Sequence, residues 1–294
     1  MTTSKLNETK VKEGVENLFK ILQQHKNFKK KSLLSKVEPI FLQIDFIKVP
    51  NVKKTIVRIP LEHSLVTNTS EVCLIVADLI RGRKVNHEMT INRYKKILEK
   101  KGITDVQRIN IVPSRQIRVE YSEFEARRKL CNMFDIFLID NKISSYLLPK
   151  LGQPFYRTRK WPIPIRIKRK NLKDEILSKL KKSSMALNGY GTSKVMQVGH
   201  INMSIEEITD NIISVENYIS TKFPGGWDNI RSLHLKGLRS AAIPIYMSLI
   251  SANDVKKPVL KTRKRKAILA EDELTTIGKK VTVYRDGTVK IHKK

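Results

Sequence analysis

Seven cations and no acid fall between positions 157 and 170: Arg157, Arg159, Lys160, Arg166, Lys168, Arg169 and Lys170. Interleaved with them or just before them are Phe155, Tyr156, Trp161, Pro162 and Pro164. Cations at this density neutralise phosphates, and aromatic faces offer stacking platforms for bases. The combination points to a stiffened surface for a polyanion that exposes bases or ribose. Two plainer readings stand beside it. Arg166 and Lys168 alternate with Ile165 and Ile167, as on the wet face of a strand, and Tyr156 and Trp161 could wedge a hinge between domains.

A second set of residues invites catalysis. Asp78 and Asp140 each end a strand-like apolar run, where open α/β sheets place ligands, and two carboxylates there would suit a Mg²⁺ ion. Aspartates after strands also cap the following helix. The six histidines are scattered, and the chain has no phosphate-cradling glycine loop and no His/Cys metal spacing. The expectation is therefore no enzyme, no cofactor and no metal. Composition favours binding: 58 Lys and Arg stand against 28 Asp and Glu, a formal net charge of +30. Such self-repulsion is relieved by an anionic partner. The sequence has no apolar run of about 20 residues that would span a membrane, and MTTSKLNETK lacks the apolar stretch of a signal peptide. Cys73 and Cys131 sit in apolar runs and form no disulfide framework. A nuclear or cytosolic setting is expected.

These residues need elements to hold them. Val11, Val15, Leu18 and Leu22 recur at helical spacing. Strand-like runs cover 39–49 and 55–61. From 72 to 151 short apolar strands (VCLIVA, INIV, DIFLID) alternate with helices, which indicates a small parallel sheet covered on both faces. Gly102 suits a helix C-cap, and Ser122 with Glu125 fits a capping box. Beyond the basic loop, Asn171 and Asp174 open a helix, SKVMQVGHI reads as a strand, and Ser204 with Glu207 forms a second capping box. IRSLHLKG and AIPIYMSLI are the last strands before a basic tail. In that tail Asp286-Gly287 suits a hairpin turn, and Lys261, Arg263, Lys264, Arg265 and Lys266 make a nuclear-import candidate.

The segments IPLEHS, FDIFLIDNKISSYLLPKLG, FYRTRKWPIPI, VGHINMSIEEITDNI and WDNIRSLHLKGLRSAAIPIY follow one another in an order that resembles the ribosomal protein L-one family, from about Val15 to Met247. Within it the chain is most similar to the nucleolar, L-one-domain-containing class. The resemblance implies a two-domain α/β fold: a discontinuous α+β domain over 1–66 and 165–250, an inserted Rossmann-like three-layer α/β/α domain over 67–164, and a basic, flexible tail over 251–294. It implies an RNA-binding ribosome-biogenesis factor of the large-subunit type, acting in the nucleus and nucleolus on structured pre-ribosomal RNA. The partners implied are that RNA and pre-ribosomal assembly proteins, with the chain a monomer in a large ribonucleoprotein. A structural stalk protein, or an adaptor docking acidic assembly proteins, are the alternatives. The RNA contacts implied are Lys53, Lys54, Arg58, Arg157, Arg159, Lys160, Lys168, Lys194, His200, Lys236 and Arg239. Two departures favour an assembly role: Lys236, Gly237, Leu238, Arg239 and Ser240 replace the family's Ser-Thr-Met-Gly signature, as about Lys36 replaces a phenylalanine, and the basic tail carries the Lys261–Lys266 cluster. Charge-driven phosphate contacts survive such changes better than shape-specific ones.

Overall fold

The structure is a computed structural model that describes residues 6–28, 38–50, 52, 54–67, 70–79, 86–103, 109–167, 171–238, 240–255, 268–274, 279–284 and 289–291. Met1–Pro258 form one compact unit and Val259–Lys294 another. In the first, strand β1 (Pro39–Phe46) pairs antiparallel with β8 (Ser193–His200) on one side and β9 (Ile230–Lys236) on the other; β10 (Ile243–Met247) completes the order β10-β9-β1-β8. Burial in β1 alternates strictly, with Ile40, Leu42, Ile44 and Phe46 on the core face. Against that face pack Val11, Val15, Leu18 and Leu22 of α1 (Glu8–Phe28) and Ile208, Ile212, Val215 and Ile219 of α8 (Ile205–Lys222). The helical periodicity read from α1 is thus its buried stripe. The capping box on α8 is complete: the Glu207 amide donates to Ser204 Oγ (3.2 Å), and the Ser204 amide donates to Glu207 Oε2 (2.9 Å).

Between β1 and β8 the chain builds a second sheet. Strands β3 (Val72–Val76), β4 (Ile109–Pro113), β5 (Ile136–Asp140) and β6 (Ile163–Ile165) are parallel in the order β4-β3-β5-β6. Successive residues of β3 face two different cores, which is why the run VCLIV is apolar throughout. Val72, Leu74 and Val76 join Leu98 of α2 (His87–Lys100) and Leu172 and Ile176 of α7 (Leu172–Leu180). Cys73 and Ile75 join Ile117 of α3 (Ser114–Val119), Leu130 and Cys131 of α4 (Phe124–Met133), and Leu147 and Leu151 of α5 (Asn141–Leu151).

Several expectations change. The basic loop contains a short helix, α6 (Gln153–Arg157), and then β6, which pairs with β5 rather than re-entering the antiparallel sheet. Pro164 is tolerated because β6 is an edge strand. Ile163, Ile165 and Ile167 face the parallel sheet's core, and the chain returns only at β7 (Lys182–Leu187), which pairs with β2 (Thr55–Pro60). The capping box at Ser122 does not form: Glu123 is the N-cap of α4, without a side-chain cap bond, and the Ser122 carbonyl instead accepts from Arg127 Nη2 (2.5 Å). In Val259–Lys294, where a flexible tail was expected, β11 (Ile268–Leu274), β12 (Lys279–Tyr284) and β13 (Val289–Ile291) form an antiparallel sheet. The Asp286-Gly287 turn lies outside the described residues.

Gly199 of β8 lets α8 approach closely, since a Cβ there would lie 2.9 Å from Ile208 Cγ1. Gly199→Ala should therefore cost about 1–3 kcal/mol through overpacking, read as a lowered urea midpoint with an unchanged m-value.

Candidate nucleic-acid interface

The face of β1 opposite the core carries Phe41, Gln43 and Asp45. Cross-strand partners share a face, so the register adds Lys236, His234 and Ser232 from β9 and Gln197, Val195 and Ser193 from β8. These side chains form a connected row. Lys236 Nζ donates to Gln43 Oε1 (3.0 Å), and Gln43 Nε2 donates to Asp45 Oδ1 (3.1 Å). Ser232 Oγ donates to Asp45 Oδ2 (3.1 Å), Ser193 Oγ also bonds Asp45, and His234 Nδ1 lies 3.2 Å from Asp45 Oδ2. Sequence reading missed Phe41, Gln43, Asp45, Ser232 and His234. Their signal was polar residues at every second position of PIFLQIDF and IRSLHLK.

The segment from α6 to β6 contacts β1 at one point and β2, with the residue before it, at two. Arg159, at φ +60°, sets its guanidinium carbon 5.6 Å from the centroid of the Phe41 ring. Lys54 Nζ lies 5.8 Å from the centroid of Tyr156. Arg58 Nη2, from β2, donates to the Pro162 carbonyl at 3.1 Å. Arg58 is half-buried with its Nε unpartnered, and this desolvation lowers its pKa. Phe155 and Trp161 are core residues, Phe155 packing edge-on against Phe137 at 4.8 Å; only Tyr156 among the aromatics of 155–161 keeps an exposed face.

The expected contacts therefore divide. Lys54, Arg157 and Arg159 are exposed, and Lys236 is half-buried on the open face. Lys160 is committed to structure: its Nζ donates to the carbonyls of Cys131 (3.1 Å) and Phe134 (2.7 Å), closing the C-terminus of α4, where a cation complements the helix dipole. Lys194 pairs with Ile44 and so leaves the open face; its ammonium holds the Tyr190 carbonyl (2.6 Å) and Asn188 Oδ1, and burial lowers its pKa. His200 is buried opposite Pro39. Lys53, Lys168 and Arg239 lie outside the described residues, as do Lys261, Arg263, Lys264, Arg265 and Lys266.

The two carboxylates considered for catalysis act as helix caps. Asp78 accepts from Ser114 Oγ (2.7 Å) and the Arg115 amide (3.0 Å), and Asp140 accepts from the Lys142 amide (3.2 Å). The fold does bring Glu62, His63 and Asp210 together, with ligand-type atoms within 4.8 Å of one another, a grouping that spacing along the chain did not reveal. It includes an ion-pair contact of 3.2 Å between His63 Nε2 and Asp210 Oδ2, more than a third exposed on each side chain.

An antiparallel sheet interrupted by a parallel α/β segment, with one polar sheet face left open, defines a distinct class of mixed α/β protein. Residues 10–241 match the ribosomal protein L1p/L10e family, and the chain belongs to that family. It is similar to ribosomal L1 domain-containing protein 1 of Mus musculus, at 30% identity over 249 residues, 85% of this chain and 53% of that protein. It is 28% identical over 285 residues to the ribosomal L1 domain-containing protein CG13096 of Drosophila melanogaster, 96% of this chain and 42% of that one. A Schizosaccharomyces pombe protein named for ribosome biogenesis, C8F11.04, is 29% identical over 217 residues, 71% of this chain and 54% of its own. The chain thus spans about half the length of these relatives.

Two outcomes follow from this geometry. Replacing Lys160 by Ala strands two carbonyls and should cost about 1–3 kcal/mol; Arg157→Ala should stay within about 0.5 kcal/mol; thermal melts compare them. Burial lowers the pKa of His200 below 6.5, so the unfolded chain takes up this proton first as pH falls. The stability held by neutral His200 is complete above the unfolded value and declines below it. Urea midpoints from pH 7.5 to 5.5 should therefore fall more steeply for the native chain than for His200→Gln; parallel profiles would contradict this.

Proposed function

We propose that this chain is a non-catalytic, RNA-binding ribosome-biogenesis factor of the large-subunit type, which grips structured pre-ribosomal RNA with the open face of its antiparallel sheet. The observation that carries this reading is the row Phe41, Lys236, Gln43 and Asp45 with the exposed Arg159 over Phe41, while Arg157 two residues earlier and Lys54 over Tyr156 are exposed as well. Cations at the rim take phosphates, while donors and acceptors along the row meet base edges or ribose hydroxyls. The net charge of +30 supplies long-range attraction. Kinship with a protein named for ribosome biogenesis supports the assembly role and a nuclear, nucleolar site of action, with pre-ribosomal proteins as further partners and the chain a monomer in a large ribonucleoprotein.

The division into two domains belongs to the same proposal: an inserted, Rossmann-like three-layer domain bounded by the crossings between Leu61 and Val72 and after Leu180. Separate cores on either side of those crossings support it. Lys236-Gly237-Leu238 in place of the expected signature favours an assembly factor over a stalk protein.

A filter-binding titration of pre-ribosomal RNA against salt tests the reading. Contact with about six phosphates gives a log–log slope of about −4 to −5. Arg157→Ala with Lys236→Ala should weaken binding and flatten the slope by about 2. A slope near zero would sink the proposal, and partners that survive nuclease treatment of an extract would assign the surface to an adaptor instead.

A further inference from the structure

A second concentration of cations and rings lies on the parallel sheet's helices. Between α3, α4 and α5 is a cleft of about 340 Å³ lined by Ile117, Arg118, Tyr121, Arg127, Pro149 and Lys150, with Ser122 beside them. No described carboxylate lines it. Arg127 and Lys150 are held by neutral groups, and only Arg118 is shared with a carboxylate. Arg127 Nε and Nη2 donate to the main-chain carbonyls of Tyr121 (3.1 Å) and Ser122 (2.5 Å), which orient the guanidinium and leave its charge. Lys150 Nζ bonds the hydroxyl of Tyr146 and lies 4.0 Å from that ring's centroid. The Arg118 guanidinium carbon lies 5.8 Å from the same ring; its nearest acid, Asp78 at 3.4 Å, already accepts from Ser114 and Arg115. Tyr146 thus gathers Lys150 and Arg118 from two helices. The lysine's hydrogen bond is the leading cause of that phenol's lowered pKa.

We propose that this cleft takes one unpaired nucleotide of the bound RNA, its phosphate on Arg118 and Lys150 and its base between Tyr121 and Pro149; this rests on the RNA-binding reading above. The volume sits at the small end of ligand pockets, about 300–1,000 Å³, so it admits a single residue and excludes a duplex. Convergent cations on a ring-walled cleft match a phosphate joined to a planar base better than an acidic peptide, whose carboxylates need no ring walls. The cleft is also close to the sheet face along the chain. Lys150 lies in the last turn of α5 and Arg157 ends α6, separated by at most about 25 Å of backbone. One RNA could therefore lay a structured segment on the sheet and place a flipped-out nucleotide here.

The test uses the full chain and two fluorescent RNA probes, a short oligoadenylate and a blunt-ended duplex, with a labelled phosphopeptide measured alongside. Arg118→Ala with Lys150→Ala should weaken the oligoadenylate at least about fivefold and leave duplex binding within about twofold, with an unchanged melting temperature. Tyr146→Phe, which releases Lys150 but keeps the ring, should give a smaller loss of the same selectivity. Unchanged oligoadenylate affinity in the double variant, with loss on Arg157→Ala and Lys236→Ala, would overturn the cleft and leave the sheet-face reading standing. If the native chain bound neither probe, the RNA-binding reading itself would fall. Loss of a labelled phosphopeptide alone, with both RNA affinities kept, would assign the cleft to a protein partner and overturn the proposal.

Discussion

Everything in the first compact unit depends on β1 being flanked by β8 and β9, strands that lie far along the chain. Pro39 pairs with His200, and Phe41 pairs with Lys236. Closing loops of that length costs conformational entropy that grows only slowly with length. The chain can therefore house a whole parallel sheet between β1 and β8. What offsets the cost is the alternating face of Ile40, Leu42, Ile44 and Phe46 against α1 and α8. Once that face is committed inward, Phe41, Gln43 and Asp45 have to point outward, and the open polar row follows from the strand period alone.

What the sequence disclosed and what it hid divide along a physical line. The capping box at Ser204 was legible because both of its bonds join residues three positions apart. The parallel sheet was legible because burial on both faces leaves continuous apolar runs. Strand β7, KSSMAL, was not; it lacks β-branched residues, and only its ladder with β2 makes it a strand. Strand β6 is three residues long with a central proline, and it too takes its identity from a neighbour, β5. Ser122 looked like a cap, but the helix begins one residue later, with Glu123 at its N-cap.

The candidate site shows the same division. Cation spacing identified the segment from Arg157 to Lys160 but could not separate an ammonium that closes a helix from a guanidinium left in water. Lys160 and Lys194 hold main-chain carbonyls and so build the fold, while Arg157 remains exposed. High positive charge is therefore not a uniform coating: part of it is spent on tying turns and helix ends, and the remainder faces solvent.

Asp45 gives this surface a consequence that its charge count conceals. A carboxylate surrounded by Ser193, Ser232, Gln43 and His234 sits at the β1 C-terminal end of the open face of a chain with net charge +30. A phosphate laid directly over β1 would meet like charge, whereas an amino or hydroxyl donor would be welcomed there. The face is thus polarised along β1, from Lys236 beside Phe41 to Asp45. If RNA occupies this face as proposed, its phosphates would be kept away from Asp45 and its donors turned toward it. Orientation, and not simply attraction, is written into that single acid.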